Sequence, residues 1–263
     1  MIDYSKLWKP HAVAKGQTLE LELGALKLWV HRGFQDWHLA YESDAREHER
    51  FSLSQNDDLF NPDREWTRWI LNEKVEELRV QPLLPDRSII VRPEMPMCLM
   101  PRQSVQFFIG IPIWLSLVFG ARKEQAVEVP SMALTNSWFG TFTEGELCYA
   151  LKTTAKLHQH DMLPAAHRAV FPLEIKNASA ERLKFVRLCI RPQYLNMFQG
   201  ENRLWTSKGR VSYRGEDKWS RIVYASGAPD YDQADAMVGK ARDAMKRGAL
   251  LNTFDTLKQR VEL

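Results

Sequence analysis

Between Lys156 and Pro172 the chain reads KLHQHDMLPAAHRAVFP, with His158 and His160 two apart, Asp161 next and His167 close by. On a strand, positions i and i+2 share a face, so two imidazoles there could bind one metal ion. The spacing does not complete a ligand set. Met162, Leu163, Pro164 and Ala165 stand where a further histidine or carboxylate would be needed. The expectation is a polar linker, with no metal and no cofactor.

A second group lies in SWFGTFTEGELCYALKT, from Ser137 to Thr153. Cys148 could serve as a nucleophile only with a base in reach and an electropositive surrounding that favours the thiolate. Glu144 and Glu146 act in the opposite sense. Strand alternation sets Glu146 and Cys148 on one face and Leu147 and Tyr149 on the other. A small buried thiol is therefore expected. Trp138, Phe139 and Tyr149 have the size of sheet-core anchors, with Gly140 and Gly145 letting the chain reverse between them.

Carboxylates and arginines supply a third possibility. Arg92 and Glu94 are two apart in RPEMP and could pair with each other. Acid–base chemistry needs two carboxyls across a cleft, a matter of distance that spacing does not give. The candidate ligand-binding residues are Arg92, Glu94, Trp138, Glu144 and Glu146, and no residue is assigned as catalytic. In the second half, Arg203, Trp205, Arg210, Tyr213 and Trp219 interleave cations with rings, as single-strand nucleic-acid binders do. Strand alternation gives the same pattern with rings inward and cations outward.

Several activities are set aside for lack of their motifs. The chain has no GxxxxGK[ST] loop, GxGxxG turn, HExxH helix or GxSxG elbow. Its 36 basic and 33 acidic side chains nearly balance, for a net charge of +3, so there is no global steering toward polyanions. Locally the balance shifts: 36–86 is acidic and 182–221 basic, which suits a partner surface or a contact between halves. Cys98, Cys148 and Cys189 lie far apart with no CxxC spacing. That pattern predicts free, buried thiols in a reducing compartment.

The elements that must position these residues read as strands. The 263 residues are 44% apolar and 26% charged, enough to bury a real core. In LELELGALKLWV, Leu19, Leu21 and Leu23, then Leu26, Leu28 and Val30, alternate about Gly24 and predict a hairpin or a bulged strand. The stretch ESDAREHERFSLSQNDD reads as a solvated loop or edge. NPDREWTRWILNEKVEEL leaves two readings open, a short helix started by Asn61 and Pro62 or two strands. From Val80 to Thr153, short strands punctuated by prolines predict an antiparallel sandwich or barrel. FFIGIPIWLSLVFG spans fourteen residues, short of the about 20 that a membrane helix needs. It reads as a buried strand pair or a bent strand. In the tail, Ala234, Met237, Val238, Ala241 and Met245 fall at helical spacing, and Leu250, Phe254 and Leu257 continue the face.

The fold class expected is all-β, antiparallel β-sandwich-like domains with a C-terminal helix. The domains expected are a larger N-terminal β domain (1–155), a linker (156–172), a smaller basic β domain (173–225) and a helical tail (226–263). The N-terminus lacks the apolar core and cleavage site of a secretory signal, so a cytoplasmic location is expected, without membrane insertion.

PDRSIIVRPEMPMCLMP, FFIGIPIWLSL and SWFGTFTEGELCYAL together resemble a prokaryotic domain-of-unknown-function family, over about Leu78 to Ile222. The family has no assigned chemistry to carry over. The association of some of its members with small-conductance mechanosensitive channel proteins implies a partner or sensor role, with any channel a separate polypeptide. The leading functional expectation is a non-enzymatic binding or regulatory interaction protein, with a protein partner or a second copy of itself. The alternatives are a hydrolase or transferase built around Arg92, Glu94, Glu144 and Glu146, and a single-stranded nucleic-acid binder; the charge balance disfavours nucleic acid.

Overall fold

The computed structural model describes residues 4–44, 51–71, 75–120, 126–141, 143–215, 220–244, 250–251 and 253–256. Among these, strands dominate, and the helical segments are short 3-10 turns such as Gln159–Asp161 and Pro192–Tyr194. The protein is all-β. Contacts divide it into two compact units, each gathered from separate stretches. The first takes the chain through Leu83, then Ile113–Ala133 and Pro164–His167; the second takes Leu84–Pro112, Leu134–Leu163 and the chain from Arg168 onward.

Among the described residues, the first unit contains a five-stranded and a four-stranded sheet, both antiparallel. The expected hairpin joins Thr18–Leu23 to Leu26–Arg32, with Leu23 opposite Leu26. Gly24 makes the turn with φ +62°, a left-handed conformation that glycine adopts without steric cost. A Cβ there would lie 2.4 Å from Cγ of His167, so the close approach requires glycine as well. All six alternating apolar residues of the hairpin are buried. Phe51–Asn56 forms an exposed edge strand beside Thr18–Leu23. Trp37 of the five-stranded sheet and Phe119 of the four-stranded sheet are both buried and meet with ring centroids 5.2 Å apart, so the two sheets touch through the core.

The open choice at residues 61–78 resolves to strands, Thr67–Ile70 and Glu77–Leu83. Asn61 accepts the Asp63 N–H on its side chain and the Trp66 indole N–H on its carbonyl. That closes a turn in place of a helix start.

The second unit is one large sheet of fourteen strands among the described residues. It is mixed. Gly145–Lys156 runs parallel to Ile89–Pro93, and Arg168–Asn177 runs parallel to both Leu204–Thr206 and Gly209–Tyr213. Phe185 touches Phe107 and Phe254, and Phe254 touches Tyr213. Phe185 and Phe254 sit on neighbouring strands, while Phe107 and Phe185, and Tyr213 and Phe254, come from strands that are not paired with each other, so rings of distant strands share one core. Residues 156–172 hold the turn Gln159–Asp161 and the start of the strand Arg168–Asn177.

Among the described residues the C-terminal helix is not seen. Ala236–Gly239 pairs with Met197–Gln199, Leu250–Leu251 with Ser220–Tyr224, and Phe254–Thr256 with Leu183–Ile190. Asp232 and Gln233 have positive φ, which turns the chain where a helix would have to begin. Ala234 then packs into the cluster of Phe108, Val170, Phe198 and Trp205. Backbone pairing with existing strand edges replaces the helical bonds. Met245 and Leu257 lie outside the described residues.

Candidate functional site

The hairpin at 136–149 sorts the most distinctive run of the sequence onto two faces. Asn136–Gly140 pairs antiparallel with Gly145–Lys156, placing Trp138 opposite Leu147, Phe139 opposite Glu146 and Ser137 opposite Cys148. Trp138 and Leu147 share the outer face and are 47% and 48% exposed. The expectation that Trp138 fills the core is therefore corrected. Its register partner is on the solvent side, and its indole N–H donates to the Thr141 carbonyl at the hairpin end, 2.7 Å away. Phe139, Cys148 and Tyr149 are buried, as expected of them.

The inner face is where chemistry gathers. Ile89–Pro93 lies between Gly145–Lys156 and Leu183–Ile190, with Ile89 opposite both Tyr149 and Ile190. A register shift after Tyr149 bends the parallel pairing, and Cys148 comes to Cys189 across the intervening strand. The two sulfurs are 3.8 Å apart and both residues are fully buried, with Ile90 and Phe139 around them. Glu146 reaches over the pair. Its Oε1 lies 3.5 Å from the Cys189 sulfur and accepts from the Arg191 guanidinium, while its Oε2 accepts from the Ser88 hydroxyl at 2.7 Å. The Arg191 side chain is 6% exposed and that of Glu146 35%, so the cation is the deeper partner and the carboxylate is partly in contact with solvent.

Electrostatics follow from this packing. The hydrogen bond to Cys148 pushes the Cys189 thiol well above the usual range, burial and Glu146 add to it, and Arg191 partly opposes. Tyr224 accepts the Arg191 backbone N–H at 3.3 Å. Burial drives its phenol up, against the pull of Arg191. Burial likewise raises Tyr149, whose hydroxyl donates to Asp86 at 2.9 Å. Glu146, Cys148 and Cys189 are the one group among the described residues whose ligand atoms could converge on a metal ion, all within 4.8 Å of each other.

The remaining predicted residues take other places. Arg92 is exposed on its strand opposite Thr154, and Glu94 pairs with Lys156. Glu144 is exposed at the hairpin end, held through its backbone by Thr141. Glu146 is the one that enters a buried cluster, and its arginine is Arg191. Sequence reasoning missed Arg191 and Cys189, because CIRPQY carries no motif that marks them. Cys98, expected to be buried, is exposed on Met97–Leu99. His158 and His160 stack with ring centroids 5.2 Å apart, and the exposed His160 pairs with Asp161.

The basic and aromatic second half turns its rings inward. Trp205 is fully buried and donates to Asp232, and Tyr213 is buried against Phe254. Neither presents a face on which a base could stack. Arg203 donates to the Met162 carbonyl and Arg210 pairs with Glu174. Trp219 lies outside the described residues. In the first unit, Lys15, Arg32, Phe34, Trp37, Arg68 and Ile70 contribute to a cleft of about 600 Å³. Its arginines are already engaged, Arg32 by Val13 and Glu76 and Arg68 by Asp36.

No helix among the described residues is long and apolar enough to cross a membrane. No curated protein matches the chain, and no solved structure does. A model of one family, described as a protein of unknown function (DUF432), matches residues 7–258. That span takes in the paired hairpin, both buried cysteines and Arg191 alike, and the chain belongs to the DUF432 family.

Proposed function

We propose that the protein is a non-enzymatic binding protein of regulatory type, and that its ligand seats at the cluster of Glu146, Cys148, Cys189 and Arg191. The observation that carries this reading is the way Glu146 is engaged. One of its oxygens accepts from Arg191 and faces the Cys189 sulfur, and the other accepts from Ser88. Donors on both oxygens fix the orientation of the carboxylate, and its remaining lone pair can meet a ligand. Burying a guanidinium–carboxylate pair costs desolvation that packing residues would not incur. The arrangement is suited to holding a ligand in place.

The test is native mass spectrometry of the full chain, purified without chelator. The wild type is expected to carry a bound species that Glu146→Ala loses while circular dichroism keeps its β signature. A wild type that carries no added mass, or an occupied Glu146→Ala, would overturn the reading.

A further inference from the structure

The geometry points to a thiophilic divalent cation of the zinc class as the ligand of this cluster, bound by Cys148 Sγ, Cys189 Sγ and Glu146 Oε1. The inference rests on the proposal that the cluster is a ligand site, and adds what it holds. A tetrahedral ion with metal–sulfur bonds of about 2.3 Å and a metal–oxygen bond of about 2.0 Å spaces its ligands about 3.8 Å sulfur to sulfur and about 3.5 Å sulfur to oxygen. The protein holds the two sulfurs 3.8 Å apart and the Cys189 sulfur 3.5 Å from Glu146 Oε1. The remaining pair of ligand atoms lies within 4.8 Å, so a small closing movement of Cys148 or Glu146 completes the triangle.

Charge and support agree with the distances. Two thiolates and a carboxylate around a divalent ion leave one negative charge, and Arg191 supplies the matching positive one against Glu146. A carboxylate oxygen has two lone pairs, so Oε1 can meet the ion with one and Arg191 with the other. Ser88 on Oε2 fixes the carboxylate plane, the role that outer partners play for ligating carboxylates. Sulfur donors select zinc and its heavier relatives over magnesium or calcium. Three protein ligands leave a fourth position for water on the side where Glu146 meets solvent. Binding exchanges two thiol protons for the ion, and no electron is transferred.

The experiment uses the full chain carrying Cys98→Ser, stripped by chelator and kept reduced, and titrated with Co²⁺. One Co²⁺ per chain is expected, with thiolate-to-cobalt charge-transfer absorption in the near ultraviolet and the strong visible bands of a tetrahedral ion. Zn²⁺ should displace it. Cys148→Ser and Cys189→Ser should abolish the charge-transfer band, and Glu146→Gln should weaken binding at least tenfold. Where a cysteine variant does not fold, the Cys98→Ser chain decides through alkylation: Zn²⁺ should slow modification of Cys148 and Cys189 at least tenfold. No charge-transfer band, a band that survives loss of both thiols, or a Cys148–Cys189 disulfide that forms equally fast with Zn²⁺ present would each overturn the metal assignment. A bound organic mass lost with Glu146→Ala would also overturn it, leaving the cluster as a ligand site. An empty cluster would remove both readings together.

Discussion

Removing either member of the Glu146–Arg191 pair should cost different amounts, because the two are buried to different depths. Arg191 has 6% of its side chain exposed and Glu146 has 35%. Breaking a fully buried pair by deleting one partner costs about 3–5 kcal/mol, since a charge is stranded. Glu146→Leu removes the carboxylate from the deep guanidinium, and water reaches only part of the vacated space, so about 2–3 kcal/mol is expected. Arg191→Met instead strands a carboxylate that is a third solvated and still bonded to Ser88. That loss should be nearer about 1 kcal/mol. The double variant replaces both charges with apolar groups and should fall within about 1 kcal/mol of the parent, a coupling of at least about 2 kcal/mol.

The assay is alkylation of Cys148 and Cys189 in metal-free protein carrying Cys98→Ser, over a range of urea. Both thiols are fully buried, so modification reports opening of their own unit, and 2 kcal/mol corresponds to about thirtyfold in the rate. Arg191→Met opening as readily as Glu146→Leu, or a double variant equal to the sum of the singles, would refute the account of who is buried and why.

Three other outcomes follow from features already described. His31 is held below the usual histidine range by burial and by His38, against the opposing pull of Asp36. The folded state thus prefers the neutral ring, so this contribution is present above about pH 6.5 and lost as the pH falls below it. His31→Gln should make the thermal midpoint less sensitive to acidification, and an unchanged pH dependence would contradict this. Tyr224 is raised by burial, so its protonated form favours folding and its contribution is lost as the pH rises above about 10. Tyr224→Phe should flatten the alkaline limb of the stability curve, and a limb as steep as the parent's would count against it. At Gly209 a Cβ would lie 2.4 Å from Phe171 Cζ. Phe171 is fully buried, so Gly209→Ala should cost about 1–3 kcal/mol in urea unfolding; a neutral result would mean that the ring moves freely.

What the sequence discloses is what depends on near neighbours. The turn at Gly24 is legible because period-two leucines stop and restart about a glycine, and the pairing of Leu23 with Leu26 follows from them. The shared face of Glu146 and Cys148 is legible for the same reason. Their partners are not: Cys189 and Arg191 come from 41 and 45 residues away, brought in by a strand that pairs on both sides. Long-range register of this kind has no local trace. The tail shows the opposite error, in which a real periodicity misleads. Ala234 and Met237 fit a helical stripe, yet open strand edges at Met197–Gln199 and Leu183–Ile190 offered the same backbone a better set of partners. Trp138 was misplaced because alternation fixes which residues share a face, not which face is wet.

The two units borrow stretches of chain from one another's sequence neighbourhoods, and this governs how the polypeptide can be made or cut. A ribosome that has released the first 133 residues has not yet delivered Pro164–His167 to the unit that claims them, and Gly24 waits for the imidazole that will rest against it. Conversely, the unit that begins at Leu84 is interrupted twice before it resumes at Arg168. No single scissor cut in the gene separates the units: a truncation at Leu83, Ala133 or Leu163 leaves one of them missing a piece, and a tag or fusion partner spliced at those points divides a unit as well as joining one.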